Sequence, residues 1–407
     1  MVTARRAVSV SAQSRAQWIA TQPTVNPAAS ATGTSSITLI AVLAGPQEGA
    51  MLHCKTLPDH PRRCTAAFPA APISQMRRNL SRRRASSTRT FAAGRPPMPA
   101  PPRPTFAGLP AGDPDRLAGT GVAILGVANA SPYEIGQESH AAAAPAALRA
   151  ASASFALSHL DFDLDGPFPA PDGGVVDCGD VATDPSDPEG NRTRIRTAVG
   201  AVLAAGAAPL VLGGDDSVPI PVLQAYEGHG PLTILQIDAH VDWGDVIRGN
   251  PLGYGSPMRR ASEMAWVAGM VQVGIRGLGS GTPDQIADAR AWGSRLVTMR
   301  EFRRLGPDGV AALVPEGADV FLSIDVDGLD LAIMPAVNAP TPGGLFYQDV
   351  IELLHGVAAR GRIRGAALVE LVPDKDRDGL SALTAARLAS TVAALMWRGA
   401  APAAGVS

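Results

Sequence analysis

The 407-residue chain is poor in cysteine and aromatics, and its N-terminal part has no long apolar run. Three cysteines, Cys54, Cys64 and Cys178, cannot build a disulfide framework or a cysteine-ligated zinc site. Any metal chemistry must therefore come from oxygen and nitrogen donors, and a reducing, cytoplasmic setting is expected. The N-terminal apolar run, Ile37 to Ala44, is about eight residues long, against the ~20 that cross a bilayer, so no membrane partner is expected. Charge of one sign is also lacking: 35 basic residues face 37 acidic ones, for a net charge of −2. That balance conceals an uneven distribution. The stretch up to Arg95 is strongly basic, with only Glu48 and Asp59 as acids, and the remainder is strongly acidic. An acidic body repels nucleic acid and favours metals or small cationic substrates. With 46% hydrophobic residues, there is apolar material for one large core or two small ones.

Residues 1–103 are rich in Ala, Ser, Arg and Pro and hold no sustained hydrophobic period; they close in the Pro-rich run from Gly94 to Pro104. A disordered extension is expected there, with Met98 as an alternative initiator. A folded body is expected over residues 104–400, followed by a short tail, 401–407. Within the body, short buried strands are predicted at Val122 to Val127, Gly174 to Asp177, Pro209 to Leu212, Leu232 to Ile237, Met270 to Val273, Val320 to Ile324 and Ala366 to Val369. Helical patterns fall between or after them, at Ala141 to Leu157, Arg192 to Ala205, Ser217 to Tyr226, Pro283 to Trp292, Tyr347 to Ala359 and Ser381 to Met396. This alternation predicts an α/β protein: a three-layer α/β/α sandwich on a mostly parallel sheet. Ligands then belong at the carboxyl ends of the strands.

Acidic residues and a histidine gather at those ends. Leu232 to Ile237 is followed by Asp238-Ala-His240-Val-Asp242, Val320 to Ile324 by Asp325-Val-Asp327-Gly-Leu-Asp330, and Pro209 to Leu212 by Gly213-Gly-Asp-Asp216-Ser217. If these segments stay extended, alternate residues face one side and present their donors together. A single D-x-D is usually a helix cap or a solvated loop. Two clusters that each end a buried strand crowd like charges and call for a compensating cation. Carboxylates with one imidazole and no thiolate suit manganese, with nickel or zinc as softer alternatives.

Together these three segments, with Pro340-Thr-Pro-Gly-Gly344 and Val369-Glu-Leu-Val-Pro373, resemble the ordered signature motifs of the ureohydrolases, the arginase and agmatinase family, on the agmatinase-like side. The resemblance spans roughly Thr105 to Arg398. It implies the arginase-like fold, two Mn²⁺ ions per chain (or Ni²⁺), a trimeric or hexameric homo-oligomer, and hydrolysis of a small cationic guanidino compound, agmatine by default, to urea and an amine. Carried over by position, Asp238 and Asp325 bridge both ions, His240 and Asp327 complete one site, and Asp242 serves the other and relays a proton. Glu370 matches the carboxylate that pairs with the guanidinium.

Two positions depart from the pattern. Asp216 stands where the family has a metal-binding His, and Tyr254, in Gly253-Tyr-Gly-Ser-Pro257, stands where a His approaches the substrate. Asp216 can still bind a hard ion, at the expense of an additional negative charge. Tyr254 keeps a hydroxyl but cannot carry protons near neutral pH. His140, in the loop from Ala128 to Ala144 after the first strand, is the candidate replacement. The two substitutions motivate an alternative reading, a catalytically impaired homologue acting as a structural or regulatory subunit of a hetero-oligomer. The retained carboxylates and Glu370 argue against it. A deacetylase with one metal on the related fold is disfavoured because both second-metal carboxylates persist.

Overall fold

The computed structural model of the chain describes residues 104–400, apart from 156, 165 and 169–173. The expected extension, 1–103, and the tail, 401–407, lie outside the described residues. Eight strands form one parallel sheet: β1 (Val122–Val127), β4 (Val175–Val181), β5 (Ala208–Gly213), β6 (Leu232–Ile237), β7 (Val267–Ile275), β8 (Arg295–Thr298), β9 (Asp319–Asp325) and β10 (Arg362–Val369). Their order is β4-β1-β5-β10-β9-β6-β7-β8, and every pair runs parallel. A two-stranded antiparallel pair, β2 (Leu160–Asp161) with β3 (Gly166–Pro167), stands apart from this sheet.

Strands covered on both faces read as continuous apolar runs, which is why β1, β5 and β6 are buried at every position. Alternate residues divide the core into two layers. Ile124, Leu210, Leu235, Leu322 and Leu368 face the helices α1 (Ala144–Ser152), α6 (Met299–Ala311), α7 (Tyr347–Arg360) and α8 (Leu380–Ala400). Leu125, Val211, Ile234, Phe321 and Ala367 face α2 (Pro188–Ala204), α3 (Pro219–Gln224), α4 (Pro257–Ser262) and α5 (Pro283–Trp292). The three-layer expectation therefore holds.

All seven predicted strands and six predicted helices are present, β1, β6 and α5 with the expected bounds and the others with shifted ends. Five strands and helices escaped prediction: β2, β3, β8, α4 and α6. The first four are very short, and α6 carries Gly306 at φ 70° followed by Pro307, which interrupts its helical period. At 21 residues α8 is long and apolar enough to cross a membrane by length and composition alone, yet 78% of its most apolar 18-residue window is buried inside the protein. Its apolar girth serves the core beside β10, α1 and α7.

Candidate metal centre

The four central strands β5, β10, β9 and β6 end side by side, and the next residues of each carry the chemistry. In the register, Ile237 lies opposite Ile324 and Val369 opposite Asp325, so Asp238, Asp325 and Glu370 emerge next to one another. The Glu370 N–H donates to the carbonyl of Gly214 (2.9 Å), which draws the end of β5 into the same row. Gly214 and Gly328 allow this approach. A Cβ on Gly214 would lie 2.1 Å from the Ala128 oxygen, and one on Gly328 2.7 Å from the Asp238 nitrogen.

The two motifs do not remain extended. Asp325 ends β9 and a 3₁₀ turn, Val326–Gly328, follows, with the Asp327 N–H donating to Asp325 Oδ1 (2.7 Å). The His240 N–H likewise donates to Asp238 Oδ1 (2.6 Å), and Asp242 takes the left-handed conformation at φ 45°. The donors converge through tight turns rather than strand alternation. Non-glycine residues with positive φ are few among the described residues, and three of the four, Asp242, Arg248 and Glu370, lie at this centre or its rim. Such conformations cost free energy that the surrounding structure must supply.

Two groups of donor atoms lie within mutual reach, each within 4.8 Å: Asp238, His240 and Asp327, and Asp216, Asp238 and Asp242. They share Asp238, one of the two expected bridging residues. Asp325 belongs to neither group but stands beside both; its carboxyl is raised well above the ordinary range by burial, with added repulsion from Asp327, Asp238, Glu370 and Asp216. Burial likewise raises Asp216, Asp238 and Asp242, and neighbouring carboxylates reinforce the shift. Asp216 Oδ2 is buried with no hydrogen-bond partner. An unpaired buried oxygen among like charges is a costly arrangement that a cation relieves. Two divalent ions fit this oxygen-rich donor set.

Glu370 has one oxygen on each side. Its Oε1 accepts the Asp216 N–H (2.9 Å), and its Oε2 lies 2.6 Å from His140 Nε2. Burial raises the Glu370 carboxyl against the opposing pull of His140. Burial would lower His140, but the hydrogen bond and charge of Glu370 win and raise it above its ordinary value. The loop bearing His140 is fixed by the Ser139 N–H on Asn129 Oδ1 (2.8 Å) and by the Ser131 N–H on Ser217 Oγ (2.9 Å). Tyr254 meets the His140 ring edge-on at 5.4 Å and Tyr133 at 4.4 Å, and burial raises its hydroxyl pKa. The structure thus brings together Asp216, Asp238, His240, Asp242, Asp325, Asp327, Glu370, His140 and Tyr254. A cavity of about 390 Å³ opens onto His240, Asp242, Asp325, Asp327, Tyr254 and Glu370.

Three supporting side chains were not anticipated. Gln236 donates to Asp238 and Asp242, and Gln272 donates to Gln236. Arg276, just after β7, donates to the carbonyls of Asp327 (2.7 Å), Gly328 and Leu329 (3.1 Å each) and Thr341 (2.6 Å), which ties the Asp327 loop to the Pro340–Gly344 segment. The available signal was a polar residue within or just after an otherwise apolar strand.

A family model described as the arginase family matches residues 120–394. Proclavaminate amidinohydrolase of Streptomyces clavuligerus is 35% identical over 219 residues, 52% of this chain and 69% of that protein. The human mitochondrial guanidino acid hydrolase is 35% identical over 220 residues, 53% of this chain and 62% of its own length. The solved structure of the Streptomyces clavuligerus enzyme superposes with a TM-score of 0.62 at 30% identity, covering 73% of this chain and 97% of that one.

Proposed function

Because the chain belongs to the arginase family, we propose that it is a binuclear-metal amidinohydrolase that cleaves a small guanidino compound, agmatine in the first instance, to urea and an amine. The observation that carries this reading is the pair of donor groups sharing Asp238, set beside the Glu370–His140 pair. One ion would be held by Asp238, His240 and Asp327, the other by Asp216, Asp238 and Asp242, with Asp325 adjoining both. When bound, such ions supply Lewis acidity that lowers the pKa of an attacking water. Manganese is proposed for this hard donor set, with nickel as the alternative.

The chain's own residues then divide the remaining work. Glu370 Oε2 accepts a guanidinium N–H in a charge-assisted hydrogen bond. Its other oxygen stays fixed on the Asp216 N–H, so the acceptor has one orientation. Asp242 accepts a proton from the water whose oxygen adds to the guanidinium carbon. As the carbon–nitrogen bond to the tail breaks and the added hydroxyl becomes the urea carbonyl, His140 Nε2 gives a proton to the departing amine; the two protons that the water loses, the first through Asp242, pass to the amine and to His140, so both side chains end in their starting states. Tyr254, kept protonated by burial, orients the His140 ring and does not carry protons.

A carboxylate-tailed substrate is the second reading, favoured by Arg248. The Ile247–Asn250 turn places this residue on a second, smaller cavity of about 150 Å³ that His140 and Tyr254 also line, with its guanidinium 5.8 Å from the Tyr133 ring centre and no ion pair among the described residues. Glu134 and Glu138 on the same rim suit the amine tail of agmatine. Urea release from agmatine, 4-guanidinobutanoate, 3-guanidinopropanoate, arginine and guanidine, with manganese or nickel added, tests both readings. Turnover of any member supports the activity, and the preferred tail selects the rim residue that matters. No urea from any member contradicts it. A trimer or hexamer in the cytoplasm completes the proposal, with light scattering as the check on assembly.

A further inference from the structure

A line of buried amide and hydroxyl groups crosses the sheet toward the metal centre and ends on two of its carboxylates. Gln236, on β6, and Gln272, on β7, are register partners, and both are almost completely buried. Their strand neighbours on the same face are Ile234 and Met270, ordinary core residues. Ser294, buried just before β8, donates through Oγ to Gln272 Oε1 (2.7 Å). Gln272 Nε2 donates to Gln236 Oε1 (2.6 Å) and to the Val241 carbonyl (2.8 Å). Gln236 Nε2 then donates to Asp238 Oδ2 (2.7 Å) and Asp242 Oδ2 (2.9 Å).

The direction of this relay follows from its end. Two carboxylates require a donor, so Gln236 must turn its NH₂ toward them and its oxygen toward Gln272. Gln272 must then present its own NH₂, which leaves its oxygen for the Ser294 hydroxyl. Every amide proton and oxygen in the line finds a partner in this orientation, and reversing any one amide breaks at least two bonds. A core position surrounded by Ile and Met has no need of such a residue for packing.

We infer that Gln236, oriented by Gln272 and Ser294, is a positioning residue that holds Asp238 and Asp242 as a preformed pair for the ion of the all-carboxylate group. The inference rests on the two-ion reading above. Both protons of the amide are used, one on each acid, so that a single neutral donor holds the two side chains in one arrangement. The other donor group reaches Asp238 too, but it also has the His240 ring, with Nδ1 3.2 Å from Asp327 Oδ2 and 3.3 Å from Asp238 Oδ1. Loss of Gln236 should therefore weaken one ion more than the other.

The test is the number and affinity of Mn²⁺ ions bound by the full chain, measured by elemental analysis after desalting and by calorimetry. Gln236→Met keeps the side-chain length and removes the donor. The expected result is one ion retained near wild-type affinity and the second weakened about tenfold or more, the scale of outer-shell support. Gln272→Met should give a smaller loss at the same ion, and Ser294→Ala a smaller one still. If Gln236→Met does not fold, judged by circular dichroism, Gln272→Met carries the test under the same criterion. Two ions at wild-type affinity in the variant overturn the inference and leave the two-ion reading intact. Fewer than two ions in the wild type overturn that reading itself.

Discussion

The two donor groups share Asp238 and yet differ in kind. In one, His240 brings a neutral nitrogen donor between Asp238 and Asp327. In the other, Asp216, Asp238 and Asp242 supply oxygen alone, and one Asp216 oxygen has no partner. The first can tolerate the absence of a cation because its imidazole, which burial would lower but the hydrogen bond and charge of Asp327 raise overall, can carry positive charge. In the second, Asp238 and Asp242 share the neutral N–H groups of Gln236, and no member of the group is an imidazole. The group that departs from the family's ligand pattern is therefore the one that depends most on its ion. An identical fold can thus hold two unequal sites across a single shared side chain.

Removing the shared residue should erase the distinction. Asp238→Ala is expected to lose both ions and all urea release, and elemental analysis that finds either ion retained would mean that the two groups are independent. A change at Glu370 should leave the comparison intact. Glu370→Gln is expected to keep both ions while turnover falls about a hundredfold or more, because an amide offers the guanidinium a mismatched donor. Steady-state kinetics beside a metal count separates the two effects. Making the groups alike is the next step. Asp216→His removes one negative charge and supplies a second imidazole, so preference should shift toward nickel or zinc and the acid limb of the pH–rate profile should move to lower pH. If Asp216→His and Asp216→Ala both leave metal content and profile unchanged, Asp216 is no ligand.

The smallest effect concerns stability. Carboxyl groups raised above their unfolded values bind more protons in the native state, so stability without metal is greatest at low pH and declines as pH rises through the raised values. Bound cations should reverse this. The gap in Tm between manganese-loaded and chelator-treated protein is expected to widen from about pH 5 to about pH 8, and a constant gap would show that the acids are balanced without the ion.

Much of this centre was legible because parallel strands buried on both faces announce themselves as apolar runs, and their ends mark where ligands gather. Asp238, His240 and Asp327 could be named from that rule and from the family resemblance. Their route to one another could not be read, because it depends on the left-handed turn at Asp242 and the 3₁₀ turn after Asp325, where no residue type demands the bend. The His140–Glu370 contact joins residues 230 positions apart, and only the placement of a long loop creates it. Gln236 was hidden for a different reason. A single polar residue in a strand reads as an irregularity until its partner on the next strand is known.

The central claim is that this centre hydrolyses a guanidinium group with both donor groups filled. Its most direct test is urea release from the substrate panel by protein loaded with two Mn²⁺ ions per chain, with the amine measured in parallel. Urea and amine appearing in equal amounts, and disappearing when a chelator strips the ions, is the predicted result. Protein that holds two ions and releases no urea from any guanidino compound would contradict the account and leave a metal-binding subunit without this activity.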